Sequence, residues 1–169
     1  MHPHLLAGGR FVRRAIDAPA RPGVYVLLIA LAAPVGVALP RGELVALPSG
    51  RYLYCGSAHG PGGLRARLAR HMRLGKTLRW HVDRLTEAGD VLGAWFFLQG
   101  TECELVAALA GLPAPVPGFG STDCTSCRSH LLRWTDGMRL PLAPVGGNVP
   151  GVKRGGVAKP PFGRATAGR

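Results

Sequence analysis

The stretch Gly50–Met72, GRYLYCGSAHGPGGLRARLARHM, joins a strand pattern, a glycine-rich turn and an Arg-rich helix pattern. Its first part, RYLYCGS, is rich in aromatic and aliphatic residues and predicts a β-strand that ends at Gly56. The part that follows predicts an α-helix with Leu64 and Leu68 on its buried face and Gly75 as its stop. An aromatic strand would thus deliver tyrosines, and a basic helix arginines, to the same glycine corner.

Regular patterns flank this stretch on both sides. Upstream, PGVYVLLIALAA predicts a buried strand, and VGVALPRGELVALPSG predicts a hairpin that turns at Pro40–Gly42. Downstream, LRWHVDRLTEAGD predicts a helix, VLGAWFFLQG a strand, and TECELVAALAGL a helix with Thr101 as N-cap and Glu104 completing a capping box. The loop VPGFGSTDCTSCRSHLLRW leads into a last short strand or helix. This order predicts a small α/β domain with a central, mostly antiparallel β-sheet flanked by helices.

Composition divides the chain of 169 residues into three parts. Residues 1–20 form a basic, irregular leader, with one short amphipathic turn around Phe11–Ile16. Residues 21–134 hold the predicted domain. Residues 135–169 form a basic tail rich in Pro and Gly, which we expect to be disordered because it has too few large apolar residues to fold. From Arg139 onward this tail holds six Lys or Arg and no acid.

The charge of the chain indicates a polyanionic partner. Its formal net charge is +12, from 21 Lys and Arg against 9 Asp and Glu, and its isoelectric point is about 11.0. Nucleic acid is the simplest partner for such a charge, although a GC-rich genome, which favours Arg, Ala, Gly and Pro, is an alternative cause. The longest apolar run is interrupted by Pro34 and Gly36, and the N-terminus has no signal-peptide core. We therefore expect a cytoplasmic, reduced protein that binds no membrane.

Four short motifs follow one another in a defined order. They are GVY at Gly23–Tyr25, YCG at Tyr54–Gly56, GLRARLARH at Gly63–His71 and ECELV at Glu102–Val106. No single motif is specific, but the ordered set resembles the GIY-YIG nuclease superfamily. That superfamily has a GIY strand, a YIG strand, a helix with Arg and often His four residues on, and a later helix that opens with Glu. The resemblance covers roughly residues 21–110.

The resemblance extends furthest with the uncharacterised, Uri-type branch of that superfamily. The segments that carry it are GSA after the second motif, RWHVDRL at Arg79–Leu85 and VPGFGSTDCTSCRSHL at Val116–Leu131, which take the match to about residue 134. The chain departs from the family pattern in two places. Cys55 replaces the usual aliphatic residue, which is tolerable because a buried Cys packs as a small hydrophobe, and the gap between the first two motifs is long.

The resemblance implies a metal-dependent endonuclease that hydrolyses phosphodiester bonds in DNA, in a repair or phage-defence context. Glu102 would bind one divalent ion, Mg²⁺ or Mn²⁺, and one carboxylate suffices because Mg²⁺ keeps several waters. Tyr25 would act as the base or orient the attacking water, and Tyr54 would hydrogen-bond the water or phosphate. Arg67 would grip the phosphoryl oxygens, and His71 would assist proton transfer or contact phosphate.

Further residues of the basic helix would contact the DNA backbone: Arg65, Arg70, Arg73 and Lys76. The glycines Gly56 and Gly60–Gly63 would let the protein backbone approach the DNA. The alternative function is a nucleic-acid-binding module on the same fold that does not cut.

Each catalytic role has a structural alternative. Tyr25 fits the core of an apolar strand, Arg67 a solvated helix charge, and Glu102 a first-turn acid favoured by the helix dipole. Glu104 is the alternative to Glu102 at the site. Tyr52 and Tyr54 are expected on opposite faces of their strand, so that one of them packs in the core.

A second group of side chains has the spacing Cys124-x-x-Cys127-x-x-His130. It resembles half of a zinc site, with fewer residues before His130 than in common zinc fingers. The fourth ligand stays open among three candidates: Cys103, His81 and Asp123. Structural Zn²⁺ is one interpretation, but the sequence favours a loop tucked beside the active face.

Overall fold

The computed structural model describes residues 6, 8–38, 42–121, 124–138 and 140–143. A short 3₁₀ turn at Ala15–Asp17 accompanies the regular elements. Within the described residues the strands and helices follow in the order β1 (Arg10–Val12), β2 (Val24–Leu31), β3 (Val35–Ala38), β4 (Leu44–Leu47), β5 (Gly50–Ser57), α1 (Gly63–Met72), α2 (His81–Ala88), β6 (Asp90–Phe97), α3 (Glu102–Ala108) and β7 (Leu131–Trp134).

The central sheet has five strands in the order β1-β6-β2-β5-β7, and every neighbouring pair is antiparallel. Strand β2 lies in the middle because its run of aliphatic residues can be buried on both faces. Strands β3 and β4 pair as a separate hairpin, which confirms the predicted hairpin, while its turn residues 39–41 lie outside the described residues. The predicted α/β class with an antiparallel sheet flanked by helices is confirmed.

Two apolar layers cover the sheet, one on each face. Residues of β2 alternate between them: Leu27 and Ile29 join the layer that contains α1, α2 and the hairpin, whereas Val26 and Leu28 join the layer that contains α3. This alternation follows from the two-residue repeat of a strand. The helices have only 10, 8 and 7 residues, and none in the described part of the chain could cross a membrane.

The expected leader and tail each contribute to the fold. Residues Arg10–Val12 form the edge strand β1, because Phe11 packs on Trp95 with ring centroids 4.7 Å apart and the backbone pairs with β6. The predicted amphipathic turn is therefore replaced by a strand and the 3₁₀ turn. At the other end, the indole N–H of Trp95 donates to the carbonyl of Ala143 at 2.8 Å. The rest of the predicted tail, residues 144–169, lies outside the described residues.

The expectation that Tyr52 and Tyr54 face opposite sides of β5 is wrong, because residues two apart on a strand share a face. Both belong to the apolar layer under α1. Tyr52 is fully buried, and its hydroxyl donates to the carbonyl of Pro48 at 2.6 Å. Tyr54 is only partly buried because it lies further along β5, where the strand approaches a pocket.

Candidate functional site

A pocket of about 530 Å³ opens at the end of the sheet where β2 begins and β5 ends. The five side chains that the sequence analysis singled out as catalytic all line it: Tyr25, Tyr54, Arg67, His71 and Glu102. They come from four different elements, namely β2, β5, α1 and α3. The fold therefore brings four distant chain segments to one place.

A buried hydrogen bond joins Tyr25 and His71 at the bottom of the pocket. The Tyr25 hydroxyl lies 2.7 Å from His71 Nε2, and the two residues are only 2% and 1% exposed. Burial lowers the pKa of His71 to about 3 and raises the pKa of Tyr25 well above its usual value of 10. Both side chains are therefore neutral at pH 7. The Nδ1 atom of His71 is also buried and has no hydrogen-bond partner among the described residues.

Two glycines of the sequence motifs, Gly23 and Gly56, lie where an added Cβ would clash with neighbouring atoms. Gly56 lies opposite Tyr25 in the β2–β5 pairing, and a Cβ placed on it would lie 2.4 Å from the Tyr25 hydroxyl. A Cβ on Gly23 would lie 2.3 Å from the carbonyl oxygen of Phe97 on the neighbouring strand. The sequence analysis assigned Gly56 to the approach of DNA, but the structure also gives it an internal role, which is to admit the Tyr25 ring.

The other two side chains on this side of the pocket lie closer to solvent. Burial raises the pKa of Tyr54, which therefore stays a neutral phenol at pH 7. The guanidinium of Arg67 stacks over the Trp80 ring, 4.5 Å from its centroid. Stacking on an aromatic face restricts a long, flexible side chain at little cost to its hydration. Trp80 thus holds Arg67 at the pocket.

The two candidate glutamates have different surroundings. Glu104 belongs to the N-terminal cap of α3: its carboxylate accepts a hydrogen bond from the Thr101 backbone N–H at 2.7 Å, and its own N–H donates to Thr101 Oγ1 at 3.2 Å. The predicted capping box is thereby confirmed. Glu102 instead lines the pocket, half-buried, with no hydrogen bond or ion pair to another described side chain.

The predicted DNA-contacting residues lie outside the lining of the pocket. Arg73 is exposed, and Arg65 is exposed while its Nε donates to the carbonyl of Ala18 at 2.9 Å. The Arg70 guanidinium donates to Asp83 Oδ2 at 2.6 Å and to the carbonyl of Thr77 at 3.2 Å.

Lys76 differs from its predicted role. Its side chain is 0% exposed, and its ammonium donates to the carbonyl of Arg73 at 2.7 Å and pairs with Glu87 at 3.3 Å. An ammonium that is buried and bonded to protein groups cannot reach a DNA phosphate. Lys76 instead satisfies backbone carbonyls that follow the end of α1.

Trp80, which lines the pocket, and Asp83, which accepts the Trp80 backbone N–H, were not among the predicted catalytic residues. Asp83 is fully buried, and besides Arg70 it accepts the backbone N–H groups of Arg79 and Trp80 at 2.8 and 3.0 Å. These bonds fix the two residues that precede α2, and the Trp80 ring lies 5.9 Å from the His71 ring. The motif RWHVDRL contains both residues, but its spacing does not reveal which groups they meet.

Three of the four cysteines form a compact cluster with His130 at one side of the pocket. We call Cys103, Cys124, Cys127 and His130 the Cys₃His cluster. Their potential ligand atoms all lie within 4.8 Å of one another, so that the four residues could hold a metal ion. The sequence favoured a loop tucked beside the active face, and this loop does lie at the pocket, with Cys124, Ser126 and His130 among the lining residues.

Cys103 lies in the first turn of α3, directly after Glu102, and this position brings it to the cluster. Its sulfur lies 3.2 Å from that of Cys124. Hydrogen bonds with Ser126 and Cys103 lower the pKa of Cys124, which favours its thiolate. His81, another candidate for the fourth ligand, instead packs its ring 5.7 Å from that of Phe119. The third candidate, Asp123, lies outside the described residues.

A family profile matches residues 24–143, and its description is "Domain of unknown function DUF123". The chain belongs to this family. The DUF123 domain contains every element from β2 to β7, together with the residues that line the pocket and the Cys₃His cluster. No curated protein and no solved structure matches the chain. The family match therefore assigns no function to the pocket.

Proposed function

We propose that this DUF123 domain is a metal-dependent endonuclease of the GIY-YIG type, similar to the Uri-type branch, which hydrolyses phosphodiester bonds in DNA. One observation supports this proposal above the others: the five side chains expected from the order of the motifs converge on one pocket. The net charge of +12 supports a polyanionic substrate. The cytoplasmic location expected from the sequence belongs to the same proposal.

The charges around the pocket suit a phosphodiester. Arg67 supplies a fixed cation whose planar donors match phosphoryl oxygens. Tyr54, a neutral phenol at the pocket wall, donates a hydrogen bond to the same group. In a partly water-excluded pocket these donors stabilise the charge that develops on the phosphoryl oxygens as the water attacks.

The Tyr25–His71 pair provides a path for the proton of the attacking water. The Tyr25 oxygen accepts the proton from water while its own proton passes to His71 Nε2, 2.7 Å away. The phenol is thus regenerated and no free phenolate is needed, which suits a tyrosine whose pKa is raised by burial. A bound phosphate raises the pKa of His71 because a nearby negative charge favours the imidazolium. The imidazole therefore becomes a better proton acceptor when substrate is present.

Glu102 would hold the divalent ion. Its carboxylate is available to the pocket, and a hard cation such as Mg²⁺ needs few protein oxygens because it keeps several waters. When bound, Mg²⁺ or Mn²⁺ would supply Lewis-acid stabilisation to the phosphoryl and leaving oxygens. The residues present thus fit a single-carboxylate metal site.

The test is cleavage of supercoiled plasmid, single-stranded and branched DNA with Mg²⁺ or Mn²⁺. Wild type, Glu102→Gln and Glu104→Gln are compared, because the two glutamates lie on the same helical turn but only Glu102 lines the pocket. We expect metal-dependent cleavage that Glu102→Gln loses and Glu104→Gln retains. If no variant cleaves but all bind DNA in a salt-sensitive manner, the alternative of a non-cutting binding module replaces this proposal.

A further inference from the structure

The Cys₃His cluster has nearly the dimensions of a metal centre. In a tetrahedral zinc site with Zn–S bonds of about 2.3 Å, neighbouring sulfurs lie about 3.8 Å apart. The sulfurs of Cys103 and Cys124 lie 3.2 Å apart, and all four potential ligand atoms lie within 4.8 Å of one another. Small side-chain adjustments would therefore place all four at bonding distance from one ion.

An independent observation at His130 also indicates a ligand. The imidazole is only 3% exposed, and its Nε2 is buried without a hydrogen-bond partner among the described residues. A buried polar atom without a partner destabilises the folded state, and coordination to a metal would remove that cost.

The loop around Cys124 and Cys127 is also shaped for a metal-bound thiolate. The backbone N–H of Cys127 donates to Cys124 Sγ at 3.2 Å. An N–H directed at a sulfur stabilises the thiolate form, which is the form that binds metal. The C-x-x-C turn therefore presents an acceptor sulfur that its own backbone supports.

We propose that the Cys₃His cluster binds one Zn²⁺, which clamps the first turn of α3 to the loop before β7 and so fixes Glu102 at the pocket. Three thiolates and an imidazole suit zinc, whereas Mg²⁺ and Mn²⁺ prefer oxygen ligands. Four protein ligands leave no open position for a reacting water, so the zinc is structural and not catalytic. The part of the proposal that concerns Glu102 rests on the proposed nuclease function.

The proposed zinc ion would anchor the long loop between α3 and β7. Between α3 and β7, the described residues 109–121 and 124–130 contain no helix or strand. Loops of this length in compact domains need anchoring contacts of their own. A zinc ion that joins Cys103 to the far end of the loop would close it and hold the Glu102 side of the pocket in place.

Metal content tests the proposal on the full chain, purified without a metal-affinity tag. We expect about one zinc per chain in wild type and in Cys55→Ala, which removes a buried cysteine outside the cluster. We expect Cys127→Ser and His130→Ala to lose the zinc. A wild-type protein without zinc that also takes up none when reduced and supplied with Zn²⁺ would overturn the proposal. A stable Cys103–Cys124 disulfide, measured as a 2 Da lower mass of the intact chain, would overturn it as well.

Two measurements on the wild-type protein test the proposal even if the variants fail to fold. Co²⁺ replacing the native metal should give intense visible bands with sulfur-to-cobalt charge transfer, which indicate a tetrahedral thiolate site. A strong chelator should lower the melting temperature of wild type and increase amide hydrogen exchange in residues 116–121 and 124–130. A cobalt spectrum typical of octahedral oxygen ligation would contradict the proposal.

The outcomes separate the zinc site from the nuclease function. Zinc content, the cobalt spectrum and the melting temperature do not require DNA cleavage, and Glu102→Gln should keep its zinc. If zinc binds but wild type never cleaves, the nuclease function fails while the metal site stands. If folded, zinc-free protein cleaves with Mg²⁺ as fast as the zinc-bound form, the clamp does not position Glu102 and that part of the proposal fails.

Discussion

The pocket has two halves that are built in different ways. One, the strand half, is carried by β2, β5 and α1 and consists of Tyr25, Tyr54, Arg67 and His71. The other, the loop half, is carried by the first turn of α3 and the loop before β7 and includes Glu102, Cys103, Cys124 and His130. Each half contributes groups that the proposed chemistry needs, but only the first is held by regular backbone pairing.

The two halves differ in what fixes the positions of their side chains. In the strand half, the β2–β5 register places Tyr25 opposite Gly56, and the Tyr25 ring occupies the space that a Cβ at position 56 would take. In the loop half, few contacts fix the position of the side chains. They are the side-chain cap at Thr101 and those within the Cys₃His cluster. Substitutions in the strand half should therefore cost global stability, and those in the loop half should mainly cost local order.

The largest effect is expected for Gly56→Ala in the strand half. The new Cβ would lie 2.4 Å from the Tyr25 hydroxyl, so that the ring must move and lose its bond to His71. We expect the free energy of unfolding to fall by about 2–3 kcal/mol, as for other overpacked cores, measured by urea denaturation. Gly60→Ala is the matched control, because its Cβ would meet only Arg67 Nη2 at 3.8 Å. Equal stability of both variants would contradict the close packing of Tyr25.

The pH dependence of stability should show that His71 is a buried neutral imidazole with a lowered pKa. Its pKa is about 3 in the folded protein and about 6.5 when unfolded, so the unfolded chain binds more protons between these values. This contribution to stability is complete above pH 6.5 and is lost as the pH falls toward 3. Between pH 7.5 and 5.0, wild type should lose about 2 kcal/mol more than His71→Gln in urea titrations. The same loss in both proteins would mean that His71 is not a buried neutral imidazole.

Tyr25→Phe should cost less stability but remove the proposed proton path. Without the hydroxyl both ring nitrogens of His71 lack partners, and we expect a loss of about 1–2 kcal/mol. Tyr52→Phe is the matched control, because it removes a hydroxyl on the same face of the sheet, which donates to the carbonyl of Pro48. Both variants should fold with similar losses, but only Tyr25→Phe should stop DNA cleavage. Unimpaired cleavage by Tyr25→Phe would exclude Tyr25 from the reaction.

The smallest global effect is expected for Thr101→Ala in the loop half. It removes the side-chain oxygen that accepts the N–H of Glu104, and loss of such a cap costs about 1 kcal/mol. Hydrogen exchange should increase in α3 and not in β2 or β5. Thr77→Ala, at an exposed position outside the helices, is the control and should change neither quantity. If Thr101→Ala costs more than Gly56→Ala, the contrast between the two halves is wrong.

The parts of the fold that the sequence predicted are those encoded over a few neighbouring residues. The cap formed by Thr101 and Glu104 could be read from its spacing, and the predicted hairpin and α1 came from hydrophobic periodicity. Strand β1 was missed because three residues are too few to show a period, and its pairing partner β6 is far along the chain. The burial of the Lys76 ammonium could not be predicted, because a charge in the sequence does not reveal whether its side chain is exposed.

The candidate site divides in the same way. The order of the motifs predicted Glu102 and the side chains of the strand half as site residues. The motifs could not show that Cys103 completes a cluster with residues more than 20 positions away, because that contact depends on how α3 packs against the sheet. Nor could the motifs show that Arg67 stacks on the Trp80 ring, since this contact depends on how the start of α2 is placed relative to α1.

By itself, the sequence determined the class of the fold and most of its elements, because hydrophobic period, caps and turn residues act over short distances along the chain. Its ordered motifs also predicted the candidate site residues. Only the tertiary structure decided that these side chains share one pocket, that burial keeps His71 neutral by lowering its pKa, and that Cys103 joins the Cys₃His cluster. Burial and distance between segments depend on strand pairing and on how the helices pack on the sheet. Neither is encoded in any single stretch of residues.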